Sequence, residues 1–329
     1  MLRIAPDDAK TYIQLATAYD ELGEFQQAVE EYSQAFRFEP SMLAIANINR
    51  EYGFALVALG QDDKAVQAFS AMLAKPETEA DGLRSLAMLD LYHGRYEVAR
   101  RRYEQVLSIW GPKPNPFSAA RVHFMLAVIA QGEGDSRVQM KQLDEAAANL
   151  NAIGPKVIWA ALVGKAYARA GAPKKATALL HAVAPYVDKR NPEEVAYSRI
   201  LQAKIDSATG HAADAVKALA MLNSDSGANV SGIWDESLAH AYQQEGNIEQ
   251  AVYWYEKLLA LPQGRSASWE PQQRWLASYD VLASDYLKKG DAQKARQTLG
   301  TFSNLWKGAD PNLKLCKETQ ELRAELLSR

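Results

Sequence analysis

The sequence contains a single cysteine, Cys316, among its 329 residues. One cysteine excludes an internal disulfide framework and any cysteine-rich zinc site, and it fits a reducing compartment. No stretch approaches the roughly 18 apolar residues of a membrane span. The first ten residues, MLRIAPDDAK, lack the charged and apolar regions of a signal peptide. We therefore expect a cytoplasmic protein that does not bind membranes.

The sequence also has a small net charge and none of the common catalytic motifs. A formal net charge of -3 provides no field that attracts anionic polymers, so this segment is not expected to bind nucleic acid. The five histidines show neither the HExxH pattern nor another metal-binding spacing. Neither a Walker A loop nor a GxSxG elbow occurs. We expect no enzymatic activity, no cofactor and no metal.

What the sequence does contain is a regular series of glycines. They are spaced by 37, 34, 40, 37, 39, 36 and 44 residues, and they are Gly23, Gly60, Gly94, Gly134, Gly171, Gly210, Gly246 and Gly290. A small residue stands seven positions before each one, at Ala16, Gly53, Ala87, Ala127, Gly164, Ala203, Ala239 and Ala283. Five positions after each glycine stands Ala28, Ala65, Ala99, Ala176, Ala215, Ala251 or Ala295, with Gln139 as the one departure. Closely crossing helices leave no room for larger contact residues, so the pattern predicts a series of helical hairpins.

The first of these hairpins, residues 12–40, reads YIQLATAYDELGEFQQAVEEYSQAFRFEP. It resembles a tetratricopeptide repeat (TPR), a helix-turn-helix unit of about 34 residues. The positions that carry the resemblance are Leu15, Ala16, Tyr19, Gly23, Ala28, Tyr32, Ala35 and Pro40. The resemblance implies an all-α fold, a right-handed α-solenoid of about eight TPR helical hairpins plus a C-terminal capping helix.

The predicted organisation is a single solenoid over residues 1–329. It consists of regular N-terminal repeats (1–113), an irregular fourth repeat (114–156), C-terminal repeats (157–310) and a capping helix (311–329). In the fourth repeat Gln139 replaces the small contact residue, and the sequence GEGDSR is expected to lengthen or loosen the turn. The longest predicted insertion runs from Gln263 to Trp275.

The last two hairpins and the segment LWKGADPNLKLCKETQELRAEL carry a second resemblance. They are similar to the C-terminal TPR regions of bacterial multidomain signalling proteins, in which a Ser/Thr kinase or a winged-helix regulator precedes the repeats. Pro6 stands 34 residues before Pro40, so we expect residues 2–9 to be the tail of an earlier repeat and Met1 to mark where a longer chain was cut. A genuine start with a short ordered arm is the alternative.

In TPR arrays the first helix of each hairpin lines a concave groove that holds a peptide or a helix. By that analogy, the inward polar residues are Arg50, Arg84, Lys165, Arg169, Lys204, Glu236, His240, Gln243 and Asp280. The middle of the groove would be basic and its C-terminal end mixed or acidic. The paired asparagines of the clamp that grips the C-terminal carboxylate of heat-shock chaperones are absent, so that activity is not expected.

Two further readings concern basic residues. Arg50 and Arg84 could pair bidentately with carboxylates or phosphates, or they could simply be solvated. Arg95 and Arg100–Arg102 could form a phosphate patch, although the interleaved Glu97 and Glu104 favour a solvated helix face.

These features predict a non-catalytic scaffold that binds a protein or peptide, the interaction or sensor region of a larger bacterial signalling protein. A ligand-sensing domain that controls a fused kinase or DNA-binding module is the alternative, with the fourth repeat as its hinge. Self-association through the N-terminal end is a third possibility, because removal of an earlier repeat would expose an apolar helix face.

Overall fold

The computed structural model describes residues 8–154, 156–225, 231–260 and 272–328. Every regular element within these ranges is helical, with seventeen α-helices and three short 3-10 helices. Within the same ranges, no helix is both long enough and apolar enough to cross a membrane. The chain divides at Pro112 into two compact units, and each is described separately.

The described residues of the first unit form three helical hairpins. Asp8 caps the first helix, because its side chain accepts a hydrogen bond from the backbone N–H of Lys10 at 3.1 Å. Its helices are α1 (Ala9–Leu22), α2 (Phe25–Phe38), α3 (Ala46–Ala58), α4 (Asp62–Ala71), α5 (Pro76–Tyr92) and α6 (Tyr96–Trp110). Short 3-10 helices at Pro40–Ala44 and Met72–Ala74 connect successive hairpins.

The described residues of the second unit form five hairpins and a final single helix. Its helices are α7 (Pro116–Glu133), α8 (Ser136–Ala152), α9 (Val157–Arg169), α10 (Pro173–Val183), α11 (Pro192–Ala208), α12 (Ala212–Asp225), α13 (Ser231–Glu245), α14 (Ile248–Leu259), α15 (Gln272–Lys288), α16 (Ala292–Leu305) and α17 (Lys314–Ser328). A 3-10 helix, Ala184–Tyr186, follows α10. The predicted all-α solenoid of hairpins with a C-terminal capping helix is therefore confirmed.

All eight predicted turn glycines adopt the left-handed backbone conformation, with φ between 69° at Gly60 and 89° at Gly210. In each turn the residue after the glycine donates its backbone N–H to the carbonyl four residues before the glycine; the Glu24–Tyr19 pair is 2.9 Å apart. This bond satisfies a carbonyl at the end of the first helix, and the left-handed conformation costs glycine little. The glycine spacing therefore located every hairpin turn.

The small residues lie where helices approach closely. A Cβ atom at Gly53 would lie 2.1 Å from the Phe69 ring, and one at Gly164 would lie 2.7 Å from Leu201. The alanines at the equivalent positions, such as Ala16, are almost completely buried. The close-packing interpretation of these positions is confirmed.

The fourth hairpin is more regular than its sequence predicts. Gly134 has φ 81°, and Asp135 donates its backbone N–H to Ala130 at 2.9 Å, as in the other turns. The Asp135 side chain then caps α8 by accepting from Val138 at 2.9 Å. The expectation of a longer or looser turn was wrong, because Asp135 serves both as turn residue and as helix cap. Gln139 is buried at the contact.

The capping helix α17, which was predicted within residues 311–329, runs from Lys314 to Ser328. Its Thr319 hydroxyl donates to the Asp280 carboxylate on α15 at 2.9 Å, and this hydrogen bond is buried. Met1, Pro6 and most of the predicted insertion, up to residue 271, lie outside the described residues.

Candidate functional site

The predicted groove residues occupy the first helices of their hairpins, and the second unit brings five of them together. Lys165 and Arg169 lie on α9, Lys204 lies on α11, and Glu236 and His240 lie on α13. We call these five residues the charged cluster. They come from three successive hairpins of the second unit.

Glu236 lies at the centre of the charged cluster. Its Oε1 accepts a hydrogen bond from Nη2 of Arg169. Its Oε2 lies 3.7 Å from Nζ of Lys204 and 3.9 Å from Nζ of Lys165. One carboxylate is thus surrounded by three cationic groups from two other helices.

Small residues on the first helices allow these long side chains to meet. Gly164, next to Lys165, lets α9 approach Leu201 of α11. Ala203, next to Lys204, and Ala239, next to His240, are completely buried. The small residue always stands seven positions before the turn glycine. The residue that follows it, Lys165, Lys204 or His240, therefore occupies the equivalent position on each of the three first helices.

The cluster is shielded from solvent. The exposed fractions are 2% for the Lys204 side chain, 6% for Lys165, 8% for Arg169 and 9% for Glu236. Charged residues are almost never buried to this extent unless they are paired. Here the cationic groups outnumber the carboxylate, so pairing within the cluster is incomplete.

The pKa values of Glu236, Lys165 and Lys204 are all lowered, but for different physical reasons. Burial alone would raise the pKa of Glu236, but Arg169, Lys204 and Lys165 together hold it well below its usual range. Burial lowers the pKa of Lys165 to about 8. Burial, followed by the charge of Arg169, also lowers the pKa of Lys204 well below that of an exposed lysine.

His240 is held in its neutral form at physiological pH. The positive charge of Lys204 is the largest cause of its lowered pKa, and burial is the second. The imidazole therefore adds no charge to the cluster, and its ring nitrogens provide one donor and one acceptor.

Several polar atoms of the cluster have no hydrogen-bond partner among the described residues. They are Nε and Nη1 of Arg169, Nζ of Lys204, Oε2 of Glu236 and Nδ1 of His240. Buried donors of charged groups without acceptors are costly, and bound water or a bound anion is what usually satisfies them. The arrangement can chemically accept a further group with negative charge and several acceptor oxygens.

The other predicted groove residues have different surroundings. Gln243 donates to both oxygens of Asp285, at 3.2 and 3.1 Å, while Asp280 accepts from Thr319 in the contact that fixes the capping helix. Burial raises the pKa of Asp280 to about 6. Asp285 itself is completely buried, and its pairing with Gln243 on α13 was not predicted.

In the first unit, Arg84 lies 3.1 Å from Asp81 and its guanidinium carbon lies 6.0 Å from the Trp110 ring centroid. Arg50 is half-buried on α3. Both residues thus belong to the first unit, whereas the charged cluster belongs to the second.

The basic run near the third turn has a partly structural role. Arg95 donates to Asp90 at 2.8 Å, and Arg102 donates to the other oxygen of the same buried carboxylate. Arg101 instead pairs with Glu97 at 2.7 Å on the surface. The interpretation of the whole run as a solvated face was therefore wrong for Arg95 and Arg102, because both reach the buried Asp90. Among the described residues, no group of three or more His, Cys, Asp or Glu side chains could hold a metal ion.

Comparison with known proteins agrees with the hairpin geometry. Residues 9–42 and 237–263 match the tetratricopeptide repeat family. Over 132 residues the chain is 27% identical to the formate-dependent nitrite reductase complex bifunctional subunit NrfFG of Haemophilus influenzae. That match covers 40% of this chain and 34% of the relative, so the chain spans about a third of the length of this curated relative.

Two solved structures show the same fold at low sequence identity. The APC/C hetero-tetramer Cut9–Hcn1 has a TM-score of 0.51 and 13% identity, covering 99% of this chain and 57% of that one. A Rap protein complexed with Competence and Sporulation Factor has a TM-score of 0.50 and 12% identity, covering 97% and 99%. Scaffolds of this type are typical of protein–protein interaction and are generally non-catalytic. The family match falls on the α1/α2 and α13/α14 hairpins, so in these two hairpins the chain is similar to tetratricopeptide repeat proteins.

Proposed function

We propose that this chain is a non-catalytic scaffold that binds a protein or peptide on the first-helix face of its second unit. The observation that carries the proposal is the convergence of Lys165, Arg169, Lys204, Glu236 and His240 from α9, α11 and α13. A partner group that reaches this cluster when the three helices adjust their packing would contact three successive hairpins at once.

Stability alone does not account for such a cluster. Replacing a buried ion pair by apolar side chains of similar volume is often neutral or stabilising. A solenoid also needs only apolar contacts between neighbouring hairpins. Buried charge on the first helices, where repeat proteins present their binding surfaces, therefore supports a binding role.

The test uses peptides selected on the immobilised full chain from a random library. Their affinities are then measured for the wild type, for Lys165→Met combined with His240→Ala, and for Lys174→Met. Lys174 is an exposed lysine on the second helix α10 of the same unit, so it is the matched control.

The expected result is an affinity loss of about tenfold or more for the double variant, with the control unchanged, because binding energy is concentrated in a few central residues. Equal affinities for all three proteins would remove the first-helix face of the second unit as the binding surface. The arginines of the first unit, Arg50 and Arg84, are tested in the same way by combined substitution with glutamate.

Such a scaffold would serve as the interaction or sensor region of a larger bacterial signalling protein. The similarity over 97% of this chain to a Rap protein that was solved with Competence and Sporulation Factor supports a ligand-sensing role. In the parent protein, deletion of these repeats should change the activity of the fused kinase or DNA-binding module. Unchanged effector activity would remove the sensing role and leave the scaffold.

Self-association is the remaining candidate. The most exposed large apolar side chains of the first unit, among the described residues, are Leu22 at 71% and Phe38 at 46%. Exposed apolar surface favours association when it forms a continuous patch. Light scattering over a wide range of protein concentration should show a rising mass, and a constant monomer mass would dismiss this candidate.

A further inference from the structure

We propose that the charged cluster is a binding site for one oxyanion, a carboxylate or phosphate group that reaches Arg169, Lys165 and Lys204 between α9, α11 and α13. The proposal rests on the binding role proposed above for the same face, and it adds the chemistry that the face recognises. The oxyanion belongs either to a partner peptide or to a free small molecule.

The charges of the cluster do not balance. Lys165, Arg169 and Lys204 bring three cationic groups to one carboxylate, that of Glu236, and His240 is neutral. Buried ions are stable only when opposite charges and hydrogen bonds replace the lost water. An additional anion restores that balance without requiring a lysine to lose its proton.

Several buried donors of the cluster have no acceptor among the described residues. Arg169 uses only Nη2 on Glu236, and its Nε and Nη1 are buried without partners among the described residues. Lys204 Nζ is likewise without a hydrogen bond, since 3.7 Å to Glu236 is too long for one. A guanidinium with free donors beside an ammonium is a geometry that suits an oxyanion with two or more acceptor oxygens.

Glu236 would compete with an external anion for the three cationic side chains. Its carboxylate already has the chemistry of the proposed ligand, and it occupies the position between the three cations. Replacing it by glutamine removes the competing charge while keeping the side chain's size. An external anion should then bind more tightly.

Binding also has a consequence for the helices. Because the four side chains are between 2% and 9% exposed, an anion reaches them only when α9, α11 and α13 adjust their packing. The ligand would thus alter the contact between successive hairpins, which is the kind of change that a sensing repeat domain transmits.

Proton uptake provides a second readout. The ionisable groups that face the site lie on four helices: Lys165 and Arg169 on α9, Lys204 on α11, Glu236 and His240 on α13, and Tyr255 on α14. Burial, followed by the negative charge of Glu236, raises the pKa of Tyr255. Burial lowers the pKa of Lys165 to about 8, and a bound anion would raise it. Burial also lowers the pKa of Lys204, so anion affinity should fall by at least about tenfold for each pH unit above 8, because binding then requires uptake of at least one proton.

The experiment measures the binding of inorganic phosphate, succinate and a hexaglutamate peptide to the full chain by calorimetry, with chloride at matched ionic strength as reference. The variants are Glu236→Gln and Lys204→Met, and Lys174→Met on α10 is the control. We expect saturable binding of at least one probe to the wild type, about tenfold tighter binding to Glu236→Gln, loss of binding in Lys204→Met, and no change in the control.

The probes separate the two sources of the oxyanion. Binding of phosphate or succinate alone would assign a free anion, and binding of hexaglutamate alone would assign an acidic peptide segment. If Lys204→Met or Glu236→Gln fails to fold, wild-type binding of the probes and its pH dependence still test the proposal.

The absence of wild-type binding for every probe up to about 10 mM, a concentration that would reveal even millimolar affinity, would overturn the proposal. Equal affinities of wild type and Glu236→Gln would overturn it as well. Selected peptides that still lost affinity on combined substitution of Lys165 and His240 would then leave the proposed scaffold function standing on its own.

Discussion

Arg169 on α9 donates a hydrogen bond to Glu236 on α13, across 67 residues of sequence. The first helix of the intervening hairpin, α11, adds Lys204 to the same carboxylate. One glutamate therefore links the first helices of three successive hairpins. Its removal should affect both the packing of these hairpins and the ligand chemistry of the site.

Substitution of Glu236 by methionine should destabilise the second unit. The change leaves Lys165, Arg169 and Lys204 buried with no opposing charge, and breaking a buried ion pair in this way costs roughly 3–5 kcal/mol. Urea unfolding in chloride buffer at neutral pH measures the loss. Glu97→Met is the control, because both members of the Glu97–Arg101 pair are 62% exposed and such pairs contribute about 0–1 kcal/mol. Similar losses for both variants would show that the burial of Glu236 has no energetic consequence.

The turns and close contacts could be predicted from sequence because each depends on a local backbone or volume constraint. A left-handed turn favours glycine, and a close helix crossing favours alanine or glycine. Both constraints therefore recur at regular spacing in the sequence. The charged cluster was partly visible for the same reason. Lys165, Lys204 and His240 each stand six residues before a turn glycine, which places them in one row on successive first helices.

The depth and pairing of the cluster could not be predicted. Whether a lysine in that row is solvated or buried depends on how closely α9, α11 and α13 pack, and on the length of each neighbouring side chain. Asp90 was missed for a similar reason. It stands four residues before Gly94, where four other repeats have tyrosine, and nothing in the local pattern shows that Arg95 and Arg102 reach back to it.

Gly53→Ala should destabilise the first unit, whereas Gly300→Ala should stabilise the second. A Cβ atom at Gly53 would lie 2.1 Å from the completely buried Phe69 ring, and overpacking of this kind costs roughly 1–3 kcal/mol. At Gly300, within α16, a Cβ atom would meet nothing within 4 Å, and alanine gains about 0.5–1 kcal/mol over glycine inside a helix. Thermal unfolding of both variants measures the expected decrease in stability for Gly53→Ala and the expected increase for Gly300→Ala. Equal destabilisation would contradict the close-contact explanation of the small residues.

Asp280 should make stability decrease as pH rises from about 4 to about 6. Burial is the main cause of its raised pKa, which is about 6, although the hydrogen bond from Thr319 lowers it in part. The folded state therefore binds more protons than the unfolded state over this interval, and the stabilisation present at low pH is lost as pH rises through the folded pKa. The free energy of unfolding of the wild type relative to Asp280→Asn should fall by on the order of 2 kcal/mol between these pH values. Urea unfolding of both proteins across the interval measures it, and a constant difference would show that Asp280 titrates normally.

Neighbouring arginines on α6 should differ in their effect on stability. Arg102 donates to the buried Asp90 carboxylate and, at 3.2 Å, to the Leu86 carbonyl, whereas Arg101 is 62% exposed and pairs only with Glu97. Arg102→Ala leaves a buried carboxylate short of one charged partner and should lower the free energy of unfolding by roughly 1–3 kcal/mol. Arg101→Ala should change it by less than about 1 kcal/mol. Urea unfolding of the two variants tests this directly. Equal small effects would mean that the arginines act together as a solvated basic patch, which would return this face to consideration as a phosphate-binding surface.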